Sequence, residues 1–320
     1  MKTATRWKEL FDRQMAVWDD ARRRFDALSE VVVRSGEVDD CPMTLQHNPT
    51  RIVSTGAKTD ARSIGQRPCF LCRANRPEVQ EALPMPPYEL LVNPYPILPQ
   101  HFTIPLATHE PQRIAGRYAD MMRMAADACG LLLFYNGPEC GASAPDHLHF
   151  QAGSRGVVPV ERDWATLHSQ MLERLHADDE GDGGIFAVRS YLCPALAIVA
   201  SSPERHAVLF EHLYRLLPQG EGQPEPRMNV VAWRDEREDA DTLVSIVFPR
   251  AKHRPQCYGE DGLMVSPGAL DMGGLMVVPR EADFHRLTLD DAAAILREVA
   301  LSAEDFEELK NRLKHINHSS

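Results

Sequence analysis

The stretch APDHLHFQAG, residues 144–153, constrains the fold of this chain more than any other segment. His147, His149 and Gln151 occupy every second position. Leu148 and Phe150 lie between them. Period-two alternation is typical of a β-strand, in which the polar side chains share one face and the apolar side chains share the other. The stretch therefore predicts a strand with an apolar back on a core and a front that carries two imidazoles and an amide.

Length and charge set outer limits on the function. The chain has 320 residues, 43% of them hydrophobic, which is enough for a large core in two domains or in one duplicated domain. It carries 46 Asp and Glu against 35 Lys and Arg, a formal net charge of −11. This balance argues against a nucleic-acid partner, because binding a phosphate backbone needs a basic surface. A small nucleotide held by a few local cations is compatible with it.

The apolar runs and the cysteines indicate in which cellular compartment the protein is expected. No apolar run approaches the roughly 18–20 residues of a membrane span, and the opening MKTATRWKELFDRQ lacks the apolar region of a secretion signal. The seven cysteines, two of them in a C-x-x-C, fit reduced thiols better than a disulfide framework. We therefore expect a cytoplasmic protein with no membrane partner.

The order of predicted elements favours an α+β fold with an antiparallel sheet and flanking helices. Helices are predicted over residues 4–28, 112–129, 161–176 and 203–217, and after the capping residues Thr288 and Ser302. Strands are predicted over residues 31–36, 49–56, 87–107 (two strands), 131–137, 147–151, 185–201, 227–235, 242–252 and 273–280.

The second half of the chain repeats the first half's order of hairpins followed by a helix, which indicates a duplication. We expect one half in residues 1–176, with the H-x-H-x-Q stretch. The other half is expected in residues 185–320, and we expect it to contribute to the substrate pocket.

The loop before the H-x-H-x-Q strand, NGPECGASAPD, is long and rich in small residues. Small residues allow backbone N–H groups to approach an anion closely. A neutral histidine at the end of such a loop can attack phosphorus, and its adduct is reactive enough to be discharged again. An amide two residues further on can hold a phosphate oxygen. The alternative is a half-exposed strand that happens to carry two histidines.

The residues NGPECGASAPDHLHFQ resemble the active-site segment of the histidine-triad-like nucleotidyltransferases and phosphorylases. The resemblance implies that His149 forms a nucleotidyl-histidine intermediate and that Gln151 stabilises it. Asn136 matches an asparagine of galactose-1-phosphate uridylyltransferases, and Ser143 of the loop is a second candidate substrate-binding residue. Hydrolases of the superfamily carry a third histidine where this chain has Gln151. The resemblance therefore implies transfer to phosphate or to a sugar phosphate, and not to water.

The stretch RPCFLCRANRP contains Cys69 and Cys72 at metal-clamp spacing. One C-x-x-C supplies only half of a tetrahedral site, so a buried thiol pair and a redox pair are alternatives. A similar CFLC supplies two zinc ligands in the uridylyltransferases. The resemblance then implies a structural zinc ion held by Cys69, Cys72, His109 and His147, with His101 as the substitute for His109.

Three further segments are similar to plant and animal GDP-hexose phosphorylases: LVNPYPILPQHFTIPLATHEPQRI, HLHFQ and RPQCYGEDGLMVSPGALDMGGLMVVPREADF. Together they lie within residues 45–310. They imply a duplicated histidine-triad-like fold that breaks a nucleoside diphosphate-hexose with inorganic phosphate. Related enzymes are commonly dimers, so a homodimer is one expected assembly.

Three other functions are alternatives at this point. They are exchange onto a hexose 1-phosphate, phosphorolysis of a dinucleoside polyphosphate, and nucleotide binding without catalysis.

Cations and amides elsewhere supply further candidates for substrate binding. Arg51, Lys252 and Arg254 are predicted phosphate clamps, because guanidinium and ammonium groups suit phosphoryl oxygens. Solvated surface cations are the alternative for each. Asn93 and Asn229 lie on predicted strands, where they could contact a nucleotide or sugar or serve the structure alone.

Overall fold

The computed structural model describes residues 3–57, 59–177, 183–236 and 242–316. The described strands are β1 (Val32–Val38), β2 (Cys41–His47), β3 (Ala82–Met85), β4 (Tyr88–Val92), β5 (His101–Pro105), β6 (Leu131–Asn136), β7 (His149–Ser154), β8 (Leu172–Ala177), β9 (Gly184–Val188), β10 (Leu196–Ala200), β11 (Met228–Asp235), β12 (Thr242–Pro249) and β13 (Leu275–Val278). The described helices are α1 (Thr3–Val17), α2 (Asp19–Asp26), α3 (Ile52–Thr55), α4 (Ala61–Gly65), α5 (Tyr118–Asp127), α6 (Pro159–Arg162), α7 (Trp164–Gln170), α8 (Pro203–Leu216), α9 (Ala269–Met272), α10 (Glu281–Arg286), α11 (Leu289–Val299) and α12 (Ala303–Lys314).

One large antiparallel sheet organises the fold. Its ten strands follow the order β3-β4-β5-β7-β6-β11-β12-β10-β9-β8. A smaller sheet has the order β1-β2-β13, with β13 parallel to β2. The predicted α+β fold with an antiparallel sheet and flanking helices is confirmed.

The large sheet consists of two halves with the same connectivity. In the first half, β3, β4 and β5 are followed by α5 and then by β6 and β7, and β7 pairs with β5. In the second half, β8, β9 and β10 are followed by α8 and then by β11 and β12, and β12 pairs with β10. β6 and β11 join the halves, with Asn136 opposite Asn229. This repeated order agrees with the predicted duplication. The division at residues 176 and 185 stays a prediction, and β8 already pairs with β9 of the second half.

The back of the large sheet packs against helices. Phe150 of β7 belongs to the same buried cluster as Met121 of α5, Leu209 of α8 and Leu309 of α12. Phe150 is thus on the apolar back of its strand, as the alternation predicts.

The two halves differ at the front of the sheet. In the second half, Val244, Ile246 and Phe248 of β12 face forward into a second core. Leu45 of the small sheet and Ile295 of α11 belong to the same core and close this front. In the first half, the equivalent hairpin strand β7 carries polar side chains at its front. Only one front of the duplicated sheet is therefore polar and open among the described residues.

The predicted strand over residues 49–56 is wrong. Pro49–Arg51 forms a 3-10 turn, and α3 follows it. The β-branched residues of this segment favour a strand. However, the described part of the chain places no strand beside it, so the backbone groups are satisfied by helical hydrogen bonds such as Gly56 N–H to the Ile52 carbonyl (2.9 Å).

Some predicted helix boundaries also need correction. The helix predicted over residues 161–176 is wrong beyond Gln170, because β8 begins at Leu172 and pairs with β9. The helix predicted over residues 4–28 is interrupted at Trp18. Thr288 and Ser302 do cap α11 and α12, as predicted. Within the described ranges, no helix has both the length and the apolar character that crossing a membrane requires.

Glu225, between α8 and β11, is a carboxyl group buried to 2% exposure. It accepts hydrogen bonds from Ile114 N–H (2.9 Å) and from the Tyr135 hydroxyl. Burial raises its pKa to about 7. Between its ordinary pKa and about 7, the folded protein therefore holds a proton that the unfolded chain releases.

We expect Glu225 to make the free energy of unfolding fall as the pH rises from 4.5 to about 7, since the folded state binds more protons in this window. The contribution reaches about 1.4 kcal/mol per pH unit. Urea unfolding of the wild type and of Glu225→Gln across this window measures it, and the variant should show the shallower fall. Equal slopes in the two proteins would contradict the assignment.

Candidate functional site

A cavity of about 1190 Å³ lies at the front of the first half of the sheet. His149 and Gln151 of β7 line it, together with Asn136 of β6. Its charged lining residues are Asp19, Asp20, Arg23, Arg24, Arg51, Arg67, Arg254 and Asp271. Arginines outnumber carboxylates in this lining, so the cavity suits an anionic ligand.

One nitrogen of the His149 ring is occupied by the backbone. Nδ1 lies 2.8 Å from the carbonyl oxygen of His147. Because a carbonyl only accepts, Nδ1 carries the hydrogen. Burial lowers the pKa of His149 to about 4, so the ring is neutral at pH 7. The lone pair is then on Nε2, and a neutral imidazole with this tautomer is a competent nucleophile.

Gln151 is held by a second buried histidine. His101 of β5 is 0% exposed, and its Nε2 lies 3.1 Å from Gln151 Oε1. Its Nδ1 accepts a hydrogen bond from Ile97 N–H (3.1 Å). Burial, and then the nearby Arg51 charge, lower the pKa of His101 to about 3. The ring of His101 is therefore neutral and fully hydrogen-bonded.

A glutamine side chain separates β6 and β7 at the site. β6 and β7 pair as far as Phe134 and Gln151. Beyond this point, Gln112 Oε1 accepts a hydrogen bond from His149 N–H (2.8 Å). Gln112 Nε2 donates to the carbonyls of Asn136 (2.9 Å) and His149 (3.1 Å). Gln112 thus replaces one step of the strand ladder and keeps the backbone at His149 satisfied while the strands diverge.

The small-residue loop approaches the C-terminal part of the chain closely. Gly141 has φ +92°, and a Cβ there would lie 3.0 Å from Gly268 Cα. Both facts require glycine at this position. Ser143 lines the cavity, and its carbonyl accepts a hydrogen bond from Arg67 Nη2 (3.3 Å). The loop therefore forms part of the cavity wall, as its composition suggests.

Asn136 is anchored from the second half of the sheet. Its Oδ1 accepts hydrogen bonds from Ala269 N–H (2.7 Å) and Asn229 Nδ2 (2.9 Å). Asn229 Oδ1 in turn accepts a hydrogen bond from the buried Arg250 (2.6 Å). Asn229 thus has a structural role, and the Asn136 amide nitrogen is left to face the cavity.

The predicted cations have different surroundings. Arg51 donates to the Tyr95 carbonyl (2.6 Å), and burial lowers its pKa to about 10. Arg254 lies over the Tyr258 ring (4.1 Å) and also lines the cavity. Arg51 and Arg254 therefore remain candidates for phosphate binding.

The structure does not bring Lys252 to this cavity. Its Nζ lies 2.9 Å from Glu298 Oε1, and the side chain is 53% exposed. The prediction of a phosphate clamp fails for Lys252 because its ammonium group is turned to the surface. Asn93 does line the cavity, but it also donates to Thr103 (3.1 Å) and accepts from Tyr95 N–H (2.9 Å).

A cluster of two cysteines and two histidines includes His147, two residues before His149. The ligand atoms of Cys69, Cys72, His109 and His147 all lie within 4.8 Å of one another. Cys72 Sγ is 3.2 Å from His109 Nδ1, and Cys69 Sγ is 3.4 Å from His147 Nδ1. Ligand atoms of a tetrahedral S₂N₂ site are about 3.3–3.8 Å apart. The cluster could therefore hold a metal ion.

The backbone also orients the ring of His147. Nε2 donates to the Leu106 carbonyl (2.8 Å), which leaves the Nδ1 lone pair directed at the cysteines. The alternative ligand His101 is wrong, because both of its ring nitrogens are engaged by Ile97 and Gln151.

Two residues of the site were missed by sequence reasoning. Gln112 lies at the start of the helix predicted over residues 112–129, and in the structure that helix begins at Tyr118. Arg250 lies in the strand predicted over residues 242–252, which gives it no role in the site. In the structure it is buried and donates to Asn229 and to the Pro267 carbonyl (2.9 Å). No local pattern marks Gln112, because its partners lie 24 and 37 residues away in sequence.

Two family models match separate parts of the chain. Residues 10–154 match the model described as "Domain of unknown function (DUF4922)". Residues 242–320 match the model described as "GDPGP1-like, C-terminal domain". No curated protein sequence matches the chain.

Solved structures of yeast Ap4A phosphorylase Apa2 are similar in fold. The complex with Ap4A has 15% sequence identity and a TM-score of 0.59, over 88% of this chain and 96% of that chain. The complex with AMP has 14% identity and a TM-score of 0.58, over 90% of this chain and 98% of that chain. At these identities the likeness concerns the fold.

The fold and the C-terminal match agree with the resemblance of the H-x-H-x-Q segment. The chain has the fold of the histidine-triad-like nucleotidyltransferases and phosphorylases, as its H-x-H-x-Q segment predicts. Within this fold, residues 242–320 are the part that matches a GDPGP1-like C-terminal domain.

We expect Gln112→Ala to lower the free energy of unfolding by about 2–4 kcal/mol, because it leaves one buried N–H and two carbonyls without partners. Urea denaturation measures this change. Gln80→Ala is a suitable control, since Gln80 makes one such bond, to the Val92 carbonyl (2.9 Å). It should cost about 1 kcal/mol or less. A loss in Gln112→Ala no larger than in the control would contradict the role of Gln112.

Proposed function

We propose that this protein transfers a nucleotidyl group through His149 and phosphorolyses a nucleoside diphosphate-hexose of the GDP-hexose kind. One observation carries the proposal. His149 has its Nδ1–H held by the His147 carbonyl, which leaves the Nε2 lone pair available in a ring that lines a cavity of about 1190 Å³ with five arginines.

In the first step, the Nε2 lone pair attacks the α-phosphorus in line with the bridging oxygen. An N–P bond forms, and the P–O bond to the hexose 1-phosphate breaks. The leaving phosphate departs with the bonding electrons. The proton on Nδ1 stays on the ring, where the His147 carbonyl stabilises the positive charge of the nucleotidylated imidazole.

In the second step, an oxygen of inorganic phosphate attacks the same phosphorus. The new P–O bond forms, the N–P bond breaks, and the electron pair returns to Nε2. The products are a nucleoside diphosphate and a hexose 1-phosphate, and His149 is regenerated.

Other lining residues would hold the reacting phosphate. We assign the non-bridging oxygens to Gln151 and to the loop around Ser143, which line the cavity together with His149. Arg51 and Arg254 would neutralise phosphate charge. Asn136 and Asn93 would contact the nucleotide or the sugar.

A dinucleoside polyphosphate is a second candidate for the substrate that donates the nucleotidyl group. The fold likeness to an Ap4A phosphorylase and the size of the cavity favour it. Exchange onto a hexose 1-phosphate would use the same intermediate with another acceptor. A nucleotide-binding module without catalysis would need none of this chemistry.

We also propose that the four-residue cluster binds structural zinc. Its two thiols and two imidazoles are a donor set that zinc prefers. The ion would fix the loop that carries Cys69 against His147, and thereby the start of the strand that presents His149. The ion takes no part in the chemical steps.

We expect the wild type, incubated with the right donor and no phosphate, to retain one acid-labile nucleotide on His149. A panel of GDP-, ADP- and UDP-hexoses and diadenosine polyphosphates, with mass spectrometry of the intact protein, identifies the base. His149→Ala should carry no adduct, whereas a variant of the exposed His285 should behave as wild type. Absence of any adduct across the panel, together with no phosphate-dependent turnover, would sink the proposal.

Zinc has its own test. Purified wild type should contain about one zinc per chain by elemental analysis, and Cys72→Ser should fall to about 0.2 or less and melt at a lower temperature. Cys129→Ser is the matched control, because Cys129 is an exposed free cysteine outside the cluster. Equal zinc in wild type and Cys72→Ser would contradict the site.

A further inference from the structure

The contact between His101 and Gln151 determines the orientation of the Gln151 amide as well as its position. The Ile97 N–H can only donate, so His101 Nδ1 must accept and carries no hydrogen. In a neutral ring the hydrogen is then on Nε2. Nε2 must therefore donate to its partner on β7, which is Gln151 Oε1 at 3.1 Å.

This direction fixes which end of the amide faces the reaction. With Oε1 engaged by His101, the NH₂ group of Gln151 is the end that remains for the cavity. The opposite rotation would place an NH₂ group against the Nε2–H of a fully buried ring, two donors without an acceptor. An outward oxygen would also repel a phosphoryl oxygen, whereas an outward NH₂ donates to it.

We propose that His101 is a positioning residue that holds the Gln151 amide with its NH₂ group towards the phosphoryl oxygen. The inference rests on the proposed function, because it concerns the group that stabilises charge during nucleotidyl transfer. The backbone N–H of Ile97 fixes the tautomer of His101, and this tautomer fixes the orientation of the Gln151 amide. The NH₂ group of that amide then contacts the phosphoryl oxygen of the substrate. His101 itself touches neither substrate nor reacting atoms.

Substituting His101 with asparagine or with glutamine tests the roles of its two ring nitrogens separately. In His101→Asn, the side-chain oxygen can take the place of Nδ1 and accept from Ile97 N–H, but the chain is too short to reach Gln151. In His101→Gln, the terminal NH₂ can take the place of Nε2 and donate to Gln151 Oε1. The pair therefore distinguishes loss of the contact to Gln151 from loss of the ring.

We expect His101→Asn to lower kcat about 10-fold or more with KM nearly unchanged, because an oxyanion donor is misaligned. His101→Gln should stay within about 3-fold of wild type. Gln151→Ala should lower kcat about 100-fold, and adding His101→Asn to it should change kcat less than about 3-fold. Steady-state kinetics of the four variants on the donor identified above measure this cycle.

His206→Asn is the control for general damage to the sheet. His206 is equally buried and is bonded to Tyr118 (3.2 Å) and to the Leu243 carbonyl (2.7 Å) on the back of the sheet. His206→Asn should lower the stability of the protein and leave the kcat of the folded protein near wild type. Adding Gln151→Ala to it should lower kcat as much as Gln151→Ala lowers it in the wild type.

The outcomes separate the two proposals. An inactive wild type without an adduct contradicts the proposed function. An active wild type with His101→Asn at wild-type kcat, or with additive losses in the double variant, contradicts the role of His101 alone. If His101→Asn does not fold, His101→Gln decides: a retained kcat supports the role, and a kcat below that of Gln151→Ala, which loss of the amide alone cannot produce, overturns it.

Discussion

Backbone groups in the segments that flank β5 and β7 fix which nitrogen carries the hydrogen in three buried histidines, and the proposed site depends on these contacts. The Leu106 carbonyl takes Nε2–H of His147, the His147 carbonyl takes Nδ1–H of His149, and Ile97 N–H occupies Nδ1 of His101. In each ring, the remaining nitrogen is the one to which we assign a role. It faces the cysteine cluster in His147, the cavity in His149 and the Gln151 amide in His101. A free imidazole exchanges its tautomers readily, so these backbone contacts determine which nitrogen of each ring is available.

The duplicated sheet explains why, among the residues that the structure describes, one half offers such a site and the other does not. In the second half, apolar side chains of β12 pack against the small sheet and α11. In the first half, Gln112 enters between β6 and β7, so the strands diverge without leaving backbone groups unpaired. The polar front of β7 thereby opens to a cavity. Asn136 and Asn229, which face each other where the halves meet, connect this opening to the buried Arg250.

Local patterns in the sequence predicted much of this arrangement. Period-two alternation is a property of five consecutive residues, 147–151, so the strand, its two faces and the position of His149 could be read directly. The resemblance predicted that Cys69 and Cys72 lie beside two distant histidines, and the structure brings the four residues together. Gln112 and the contact of His101 were not predictable, because they arise where separate segments cross in space. Lys252 failed for a related reason: its neighbour Glu298, 46 residues away, turns the ammonium group to the surface.

The tautomers themselves provide the most direct test of the central claim. Long-range ¹H–¹⁵N correlation spectra of histidine-labelled protein at pH 7 distinguish Nδ1–H from Nε2–H rings, and single-histidine variants assign the signals. The account predicts an Nδ1–H ring for His149 and Nε2–H rings for His101 and His147. An Nε2–H ring at His149, or a ring that exchanges between both forms, would contradict it.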